Sequence, residues 1–427
     1  MLRFVDVTWL SRPFDMSPPR GADMSPPCRR DGARYCRVMP VQITVIGAGV
    51  AGLAAAIALH RSGHEVTVLE QRTDISSGAG ISIWPNALAA LDELGLGEAV
   101  RASGGRVTGG AIRWRDGAWL RRPEPHRIVK ALGEPLVVIR RSVLAELLTA
   151  ALPDGIVQTG ARVAGIQSSG GSVRVHLADG DIRNTAAVVG ADGVHSVVAR
   201  TLNGALTNRY VGYTAWRGVA ASPLDPALAG ETMGPGTEVG HVPLGPDHTY
   251  WFATERTPEG SRAPGGDHAY LTATLASWAQ PIPELVAATD PADLLRNDLY
   301  DHTQPRRWAR GPVVLVGDAA HPMRPHLGQG GCQGLEDAAI LARFLQLRPD
   351  PTDAFAKFAT FRRRRVRPLV RESAMIGRIV NLRPAVLSGA ASRATGLIPE
   401  AVVTRHLASI AGRSAFRLPT AGALPTV

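Results

Sequence analysis

The sequence predicts an α/β protein in which a parallel sheet, built from segments far apart in the chain, is combined with an antiparallel sheet and C-terminal helices. Three observations lead to this prediction. A β-α-β pattern with a glycine-rich turn begins near residue 40. Residues 205–280 place aromatic and β-branched runs between glycines and prolines, which is typical of antiparallel strands. A buried-strand pattern returns at 313–316 and is followed by two long helical patterns.

The composition is that of a globular protein, with 45% hydrophobic and 20% charged residues in a chain of 427. No apolar run approaches the roughly 18 residues of a transmembrane segment, so none is expected. The net charge of +10 could favour anionic partners. We expect no nucleic-acid ligand, because the arginines are scattered and no nucleic-acid motif accompanies them. The exception is FRRRRVR at 361–367, which we interpret as the solvated face of a long helix.

The three cysteines, Cys28, Cys36 and Cys332, are too few for a disulfide framework and favour a reducing, cytoplasmic location. Residues 1–38 differ from the rest of the chain, since they carry prolines and arginines without apolar periodicity. We expect them to be a disordered extension without a secretory signal. An alternative is that translation begins at Met39, because a strand pattern follows at once. Peptides from residues 1–38 in the native protein would contradict this alternative.

The elements can be assigned in chain order from apolar periodicity and glycine positions. The strands expected outside the antiparallel region are 43–46, 65–69, 111–114, 136–139, 162–166, 173–177, 187–190 and 313–316. The expected helices are 53–62, 86–96, 142–151, 332–346 and 353–381, followed by an alanine-rich helical tail.

The segment GAGVAG at 47–52 matches G-x-G-x-x-G between a strand and a helix. Gly47 permits the tight turn, Gly49 lets the backbone approach a pyrophosphate, and Gly52 lets helix and strand pack closely. The helix N-terminus offers N–H groups to the phosphates. Glu70, at the end of the second strand, can bind an adenosine ribose and favours FAD or NAD over NADP. The alternative is a structural glycine turn with a surface glutamate.

FAD is favoured over NAD because the chain holds one such fingerprint and the parallel-sheet pattern is interrupted and then resumes. FAD is long enough to contact segments that lie so far apart in the sequence. The predicted organisation is a Rossmann-like FAD-binding domain at 39–110, 136–204 and 308–380, a substrate domain at 111–135 and 205–307, and a helical tail at 381–427.

The stretch GDAAHPMRPHLGQGG at 317–331 holds Asp318, His321, His326 and a group of glycines. By residue type it could be a metal site, an acid–base pair or a loop that receives a bulky group. The upstream fingerprint gives Asp318 another partner, so we predict no metal site. His321 is assigned to the turn that ends the strand, and the glycines are assigned to the cofactor.

Three stretches now carry a resemblance: GAGVAG with Glu70, VVGADGVHSVVAR at 188–200, and GDAAHPMRPHLGQGGCQGLEDA at 317–338. Together they resemble the single-component (class A) FAD-dependent aromatic hydroxylases, the family of the para-hydroxybenzoate, salicylate and urate hydroxylases. The resemblance covers residues 41–380. It implies a monooxygenase, a monomer or homodimer, that uses NAD(P)H and O2. Through a flavin C4a-hydroperoxide it would hydroxylate or epoxidise a small aromatic or unsaturated substrate.

The resemblance also implies residue roles in cofactor binding. Asp318 would hold the ribityl chain, and Asp192 would lie near the pyrophosphate and the nicotinamide nucleotide. Val163 would bracket the adenine through its backbone. The segment beside the isoalloxazine ring would be Gly328, Gln329, Gly330, Gly331 and Cys332. The remaining expected contacts are Gln71 beside Glu70, Ser82 and Arg141.

Two departures from the family pattern affect what can be carried over. Arg200 stands one position late for the usual S-x-V-R, so a part in binding the nicotinamide nucleotide is not carried over to it from the family. Ala215 and Glu238 stand where the urate-type members have asparagine and arginine, so urate is not the expected substrate.

On the substrate side, Arg217 in YTAWRG is predicted to pair with a carboxylate or phenolate. The alternative is a surface arginine on an antiparallel sheet. Pro325 could place a carbonyl near the reacting ring, and His326 could act as a proton relay. An aromatic pocket could draw on four side chains, of which alternation should send half to the core or the surface: Tyr213, Trp216, Tyr250 and Trp251.

Two rival functions stay open. The first is a dehydrogenase, reductase or oxidase on the same scaffold. This rival would be favoured if the amount of hydrogen peroxide formed equalled the amount of NAD(P)H consumed with every substrate tried. The second is a non-catalytic FAD-binding regulatory protein, for which the shifted Arg200 is the argument. FAD that stays oxidised under saturating NADH and NADPH would favour this second rival.

Overall fold

The computed structural model of the chain describes residues 39–74 and 78–420. Their strands, β1 to β19, are Gln42–Ile46, Glu65–Leu69, Gly80–Ile83, Gly105–Val107, Ala111–Trp114, Trp119–Arg121, Leu136–Arg140, Val157–Gln158, Val163–Ser169, Ser172–Leu177, Ile182–Thr185, Ala187–Gly190, Asn208–Ala220, Gly230–Gly234, Thr237–Pro243, Thr249–Glu255, Leu295–His302, Ala309–Arg310 and Val313–Leu315. Their helices, α1 to α12, are Val50–Arg61, Pro85–Glu93, Gly97–Ser103, Pro125–Leu132, Arg141–Ala150, Val197–Asn203, Asp267–Leu275, Ile282–Ala287, Gly330–Leu347, Pro351–Val380, Ala385–Ala394 and Glu400–Ala411. None of these helices is long and apolar enough to cross a membrane. The predicted extension, residues 1–38, lies outside the described residues.

A largely parallel sheet has the strand order β18-β19-β12-β1-β2-β8. β1 pairs in parallel with both β2 and β12, and β12 pairs in parallel with β19. Its central strands read as continuous apolar runs because helices such as α1 and α9 cover them. Ile43 and Val45 of β1, for example, are fully buried. The sheet is discontinuous in sequence, as predicted, because its strands come from both ends of the described chain.

A seven-stranded sheet has the order β17-β13-β16-β15-β14-β5-β6. All its pairings are antiparallel except β14 with β5. One face packs Trp216 and Trp251 against Leu271 of α7 and Ile282 of α8. The other face lies against the small sheet β3-β7-β4, where Tyr250 packs with residues of β4 and β7. The mixed α/β fold with C-terminal helices is therefore confirmed, whereas the exact domain boundaries stay a prediction.

Several expected elements needed correction. The antiparallel region does not run unbroken to residue 280, because α7 occupies Asp267–Leu275 and the sheet ends with β17 instead. The single helix expected at 86–96 is two helices, since Gly95 adopts φ +65° after the end of α2 and α3 begins at Gly97. Several short elements were missed, among them β3, β4, β8, β11, α4 and α6, because each is too brief to show a period.

The arginine run FRRRRVR is not simply a solvated face. Arg362 on α10 is 0% exposed, and its guanidinium donates to Glu336 Oε2 and Asp337 Oδ1 of α9, each at 2.6 Å. Burial alone would raise the pKa of both carboxyl groups. Arg362, helped by Arg365, holds the pKa of Glu336 below the usual range, and His321 together with Arg362 does the same for Asp337. The prediction was wrong for Arg362 because its partners lie on another helix.

Replacing Arg362 with methionine should destabilise the protein strongly. The change would leave two buried carboxylates without their shared cation, which typically costs about 3–5 kcal/mol of unfolding free energy. Arg364→Met, on the exposed side of the same helix, should change stability by no more than about 0.5 kcal/mol. Urea unfolding of both variants measures the difference, and equal effects would contradict the role given to Arg362.

Candidate functional site

The first glycine-rich turn joins β1 to α1 with no room for side chains on its inner side. Gly47 has φ +102°, and a Cβ there would lie 2.5 Å from Ala191 O. A Cβ at Gly52 would lie 1.9 Å from Gly47 O. Gly49 is different, because among the described residues no atom lies within 4 Å of a Cβ placed there. The turn is tight toward the sheet and open at Gly49, and no described side chain caps the N-terminus of α1.

Glu70 closes this turn from the second strand. Its Oε2 accepts the Ala48 N–H at 2.7 Å and its Oε1 accepts the Arg72 N–H at 2.8 Å. The backbone oxygen of Glu70 accepts the Ala161 N–H at 2.8 Å, which brings the start of β9 and Val163 close to this carboxylate. Gln71 is exposed beside it. The structure therefore brings Glu70, Gln71 and Val163 to the same end of the parallel sheet as the glycines.

Asp192 contacts the turn through its backbone, because a Cβ at Gly47 would lie 3.0 Å from Asp192 Cα. Its side chain is occupied locally. Oδ2 accepts the Val197 N–H at 2.7 Å and Oδ1 accepts the Ser196 hydroxyl, so the carboxylate holds the start of α6. Burial raises the pKa of Asp192 against these hydrogen bonds. Arg200 donates to His195 O at 2.7 Å and is exposed.

The second glycine-rich loop begins after β19 and leads into α9. Asp318 is exposed, and its Oδ1 would lie 3.8 Å from a Cβ at Gly330. Gln329 is buried, and its side-chain oxygen accepts the Asn86 amide N–H at 3.0 Å. No side chain in the described part of the chain caps the N-terminus of α9. The loop therefore presents backbone N–H groups and one exposed carboxylate.

Strand β3 lies beside this loop. The Cys332 thiol donates to Ser82 O at 3.4 Å, and a Cβ at Gly331 would lie 2.9 Å from Ile81 Cδ1. Burial raises the pKa of Cys332 to about 12, so the group is a packed thiol and not a nucleophile. Arg141 follows the neighbouring strand β7, and its N–H donates to Ala79 O at 3.0 Å. Ser82, Arg141 and the segment 328–332 are thus brought together.

These features fit FAD. Open space at Gly49 and two uncapped helix N-termini suit a pyrophosphate and an electron-rich ring system. The exposed Asp318 carboxylate can accept hydrogen bonds from hydroxyl groups. Trp84 adds a donor, because its buried Nε1 has no hydrogen-bond partner among residues 39–74 and 78–420 and lies 2.9 Å from a Cβ built at Gly328.

A metal centre is not supported in this loop. His321 is 0% exposed, and its Nε2 lies 2.7 Å from Asp337 Oδ2, inside the ion network of Arg362. Within the described ranges no three histidine, cysteine or acidic side chains are grouped to hold a metal ion. His321 therefore supports the turn after β19 as a structural residue.

The predicted substrate residues lie on the seven-stranded sheet, and the register separates them into two faces. Arg217 faces Phe252 and donates from Nη1 to Asn297 Oδ1 at 2.8 Å. Burial raises the pKa of Tyr250 despite the nearby positive charge of Arg217. Tyr250 contacts the cofactor-side strand β3, because a Cβ at Gly80 would lie 2.7 Å from its Cγ. Arg217 and Tyr250 therefore share the face toward the candidate cofactor site, which we call the inner face.

Only half of the four aromatic side chains considered for the substrate pocket lie on the inner face. Trp216 and Trp251 belong to the hydrophobic core on the outer face, with α7 and α8. Tyr213 lies on the inner side, where its hydroxyl contacts the loop before α9. Alternation along the strands explains the division, as expected.

His326 connects this loop to the sheet. Its Nε2 lies 2.7 Å from the Tyr213 hydroxyl and its Nδ1 lies 3.5 Å from Glu238 Oε2. Burial raises the pKa of Tyr213 to about 12, so its hydroxyl stays protonated. Helix α10 packs directly on this pair, because a Cβ at Gly377 would lie 2.6 Å from His326 Nε2. Pro325 begins the same turn, Pro325–Leu327.

Sequence reasoning missed two functional candidates, the carboxyl group of Glu231 and the contact of Glu238 with His326. The one signal available was a glutamate within each of two otherwise apolar or small-residue strands, β14 and β15. That signal does not reveal which residues meet, because the pairing register of the strands decides it.

Comparison with known proteins agrees with this geometry. A family model described as an FAD binding domain matches residues 40–350. The aurachin C monooxygenase/isomerase of Stigmatella aurantiaca is 37% identical over 344 residues, covering 79% of this chain and 89% of that protein. The 3-amino-4-hydroxybenzoate 2-monooxygenase of Streptomyces cremeus is 36% identical, covering 75% and 83%.

A solved structure is also similar. The Klebsiella pneumoniae HpxO protein, complexed with FAD and uric acid, is 29% identical with a TM-score of 0.80, covering 86% of this chain and 96% of that one. The glycine loops, the exposed Asp318 and the two-sheet arrangement are thus accompanied by similarity along most of the chain. This chain belongs to the single-component FAD-dependent aromatic hydroxylases and is an FAD-dependent monooxygenase.

Proposed function

We propose that this enzyme uses NAD(P)H and O2 to hydroxylate or epoxidise a small aromatic or unsaturated substrate held on the inner face of the seven-stranded sheet. The observation that supports this most directly is the turn Pro325–Leu327. It stands immediately before the glycine-rich start of α9 and contacts the sheet through His326 and Tyr213. The turn therefore joins the candidate cofactor site to the candidate substrate site.

The cofactor would be held by residues from both glycine-rich loops. Gly47, Gly49 and Gly52 would admit the pyrophosphate, and Glu70 would bind the adenosine ribose. Asp318 would accept the ribityl hydroxyls. Bound FAD supplies the redox and oxygen chemistry. The protein would contribute the uncapped N-terminus of α9, whose positive end favours negative charge on the ring, and a buried site from which water is excluded.

The substrate would be oriented by Arg217 and by the turn. Arg217 presents a fixed cation on the inner face, suited to a carboxylate, phenolate or carbonyl oxygen. His326 would hold or move a proton, because its Nε2 is within hydrogen-bond distance of a protonated tyrosine. Pro325 would contribute its backbone carbonyl. Cytoplasmic location and a monomeric or homodimeric state stay predictions from the sequence.

The position of the pyrophosphate can be tested with Gly49→Ala. The added methyl group meets no described protein atom within 4 Å, and the residue has ordinary extended dihedrals, φ −71° and ψ 177°. We expect unchanged stability of the apoprotein but FAD affinity lower by about tenfold or more, because the methyl group would occupy cofactor space. Gly165→Ala, also in open space, is the matched control. Titration of apoprotein with FAD measures both, and wild-type affinity in Gly49→Ala would contradict the placement.

The role of Arg217 can be tested with Arg217→Gln. The loss of a charge-assisted hydrogen bond, worth about 1.5–3 kcal/mol, should raise KM for an acceptor-bearing substrate by roughly tenfold to a hundredfold with a smaller change in kcat. Arg209→Gln, on the exposed part of the same strand, should leave KM near the wild-type value. If KM is the same in both variants, Arg217 is only a surface residue.

The reaction type is decided by stoichiometry. Aromatic compounds should be screened for stimulated NAD(P)H oxidation by the holoenzyme. For a true substrate we expect one oxygenated product for nearly every NAD(P)H consumed and little hydrogen peroxide. Peroxide equal to NAD(P)H with every compound would support an oxidase or reductase instead. FAD that stays oxidised with both nucleotides and all compounds would support a regulatory flavoprotein.

A further inference from the structure

Two carboxyl groups lie next to each other on the inner face, away from the residues already assigned to cofactor binding. Glu238 on β15 is paired with Met233 on β14, and Glu231 stands two residues before Met233 on the same side of the strand. Glu238 is also paired with Thr254 of β16. Inner-face residues of three adjacent strands therefore surround the two acids.

Glu238 is buried but incompletely paired. The residue is 4% exposed, and its Oε2 accepts no hydrogen bond from any described residue. The nearest cation candidate is His326 Nδ1 at 3.5 Å, too far for a good hydrogen bond. The Thr254 hydroxyl beside it is also buried without a partner in the described part of the chain. Unsatisfied buried polar groups are costly, so two adjacent ones indicate that something else completes them.

The carboxyl group of Glu231 interacts with that of Glu238. Burial of the carboxyl group, followed by the negative charge of Glu238, raises the pKa of Glu231 to about 8. At neutral pH Glu231 therefore keeps its proton beside the charged carboxyl group. Such a pair can accept a hydrogen bond from a ligand, and its charge repels an anionic group.

The pair lies across the sheet from Arg217. Arg217 faces Phe252, Phe252 faces Gly240, and Gly240 faces Glu231, so the four residues form one row over four strands. Three strand spacings of about 4.8 Å put the arginine and Glu231 about 14 Å apart at the backbone. The Phe252 ring covers Gly240, where a Cβ would lie 2.1 Å from its Cε1. The row thus has a cation at one end, an aromatic ring in the middle and an acid pair at the other end.

We propose that Glu238 and Glu231 determine substrate specificity: they select a ring that presents an N–H or O–H donor toward β14 and β15, and they exclude a carboxylate at that end. The favoured substrates are amino- or hydroxy-substituted aromatic or heteroaromatic compounds whose acceptor group points toward Arg217. This inference rests on the proposed function in assuming that the substrate binds on the inner face. It requires no turnover to be tested.

The test compares two ligands that differ in one group, 3-hydroxybenzoate and isophthalate (benzene-1,3-dicarboxylate). Both offer a carboxylate to Arg217, but only 3-hydroxybenzoate offers an O–H donor to the acid pair. Each is titrated into the oxidised holoenzyme at pH 7 without NAD(P)H, and binding is followed through the flavin absorbance and tryptophan fluorescence. We expect 3-hydroxybenzoate to bind at least about tenfold more tightly. Equal affinities, tighter binding of isophthalate, or no binding of 3-hydroxybenzoate at millimolar concentration would each overturn the proposal.

Variants of the two glutamates test whether these residues cause the binding preference. The double variant Glu231→Gln/Glu238→Gln keeps the shape and the hydrogen-bond acceptors but removes the charge, so it should tighten isophthalate binding and reduce the preference about tenfold. Glu255→Gln is the matched control, since Glu255 lies on β16 next to Thr254 but points to the opposite face and accepts a hydrogen bond from Tyr270. Retained flavin and an unchanged unfolding midpoint show that the variants fold. An unchanged preference in the folded double variant would also overturn the proposal.

The pH dependence has a definite sign. Raising the pH through about 8 removes the Glu231 proton, so the wild type should bind isophthalate still more weakly at pH 9 than at pH 7. The double variant Glu231→Gln/Glu238→Gln should lack this change. The other groups near the pair are His326, Tyr213, Thr254 and Ile112, with Arg217 at the far end of the row. A pH effect that persists in the double variant would count against the acid pair.

The two proposals fail in different ways. A binding preference that is present and sensitive to the glutamates, in an enzyme that forms only peroxide, would contradict the proposed oxygenation and leave the specificity inference intact. Efficient hydroxylation of compounds with a carboxylate at both ends, and no effect of the glutamate variants, would contradict the specificity inference alone.

Discussion

The arrangement of both candidate sites depends on one buried cation. Arg362 is surrounded by Glu336 and Asp337 of α9, and Asp337 in turn accepts the Gly317 N–H at 2.8 Å and contacts His321 at 2.7 Å. Glu336 also accepts the Asn86 amide N–H at 2.7 Å. Buried charges are tolerated only when they are paired and hydrogen-bonded. Because these buried charges must stay paired, α2, α9, α10 and the loop after β19 are held in one relative position.

That position matters because the loop after β19 and the start of α9 form one side of the cofactor site. Gly317 has φ +57°, and a Cβ there would lie 2.7 Å from Ala51 Cβ of α1. The same strand end therefore contacts the first glycine turn on one side and Asp337 on the other. The ion network reaches the cofactor segment through Asn86, which donates to both Glu336 and Gln329, and it holds the two glycine-rich loops in one relative position.

Much of the fold was predictable because it depends on local patterns. The strand β1, the turn at 47–52 and helix α1 follow from apolar periodicity and glycine spacing, and the resemblance to the flavin hydroxylases followed from three motifs. The role of Arg362 was not predictable, since its run of arginines reads as solvated until the acids on α9 are known to face it. The sequence predicted that half of the aromatic side chains would point away from the pocket. It did not predict that Tyr213 would lie on the inner face and Trp216 on the outer face, because alternation does not say which face is inner. The meeting of Glu231 with Glu238 required the register of β14 and β15, which no local pattern supplies.

Helix α10 is held at two separate points by two different physical effects. At Arg362 the constraint is charge, whereas at Gly377 it is shape, because the helix backbone lies directly on the His326–Tyr213 pair. Fifteen residues separate these points along the helix, or about 22 Å at 1.5 Å per residue. With both points fixed, the helix can neither slide along its axis nor turn about it without breaking an ion pair or creating a clash. The length of α10 between these two points therefore sets the distance between the inner face of the seven-stranded sheet and the loop that holds the cofactor.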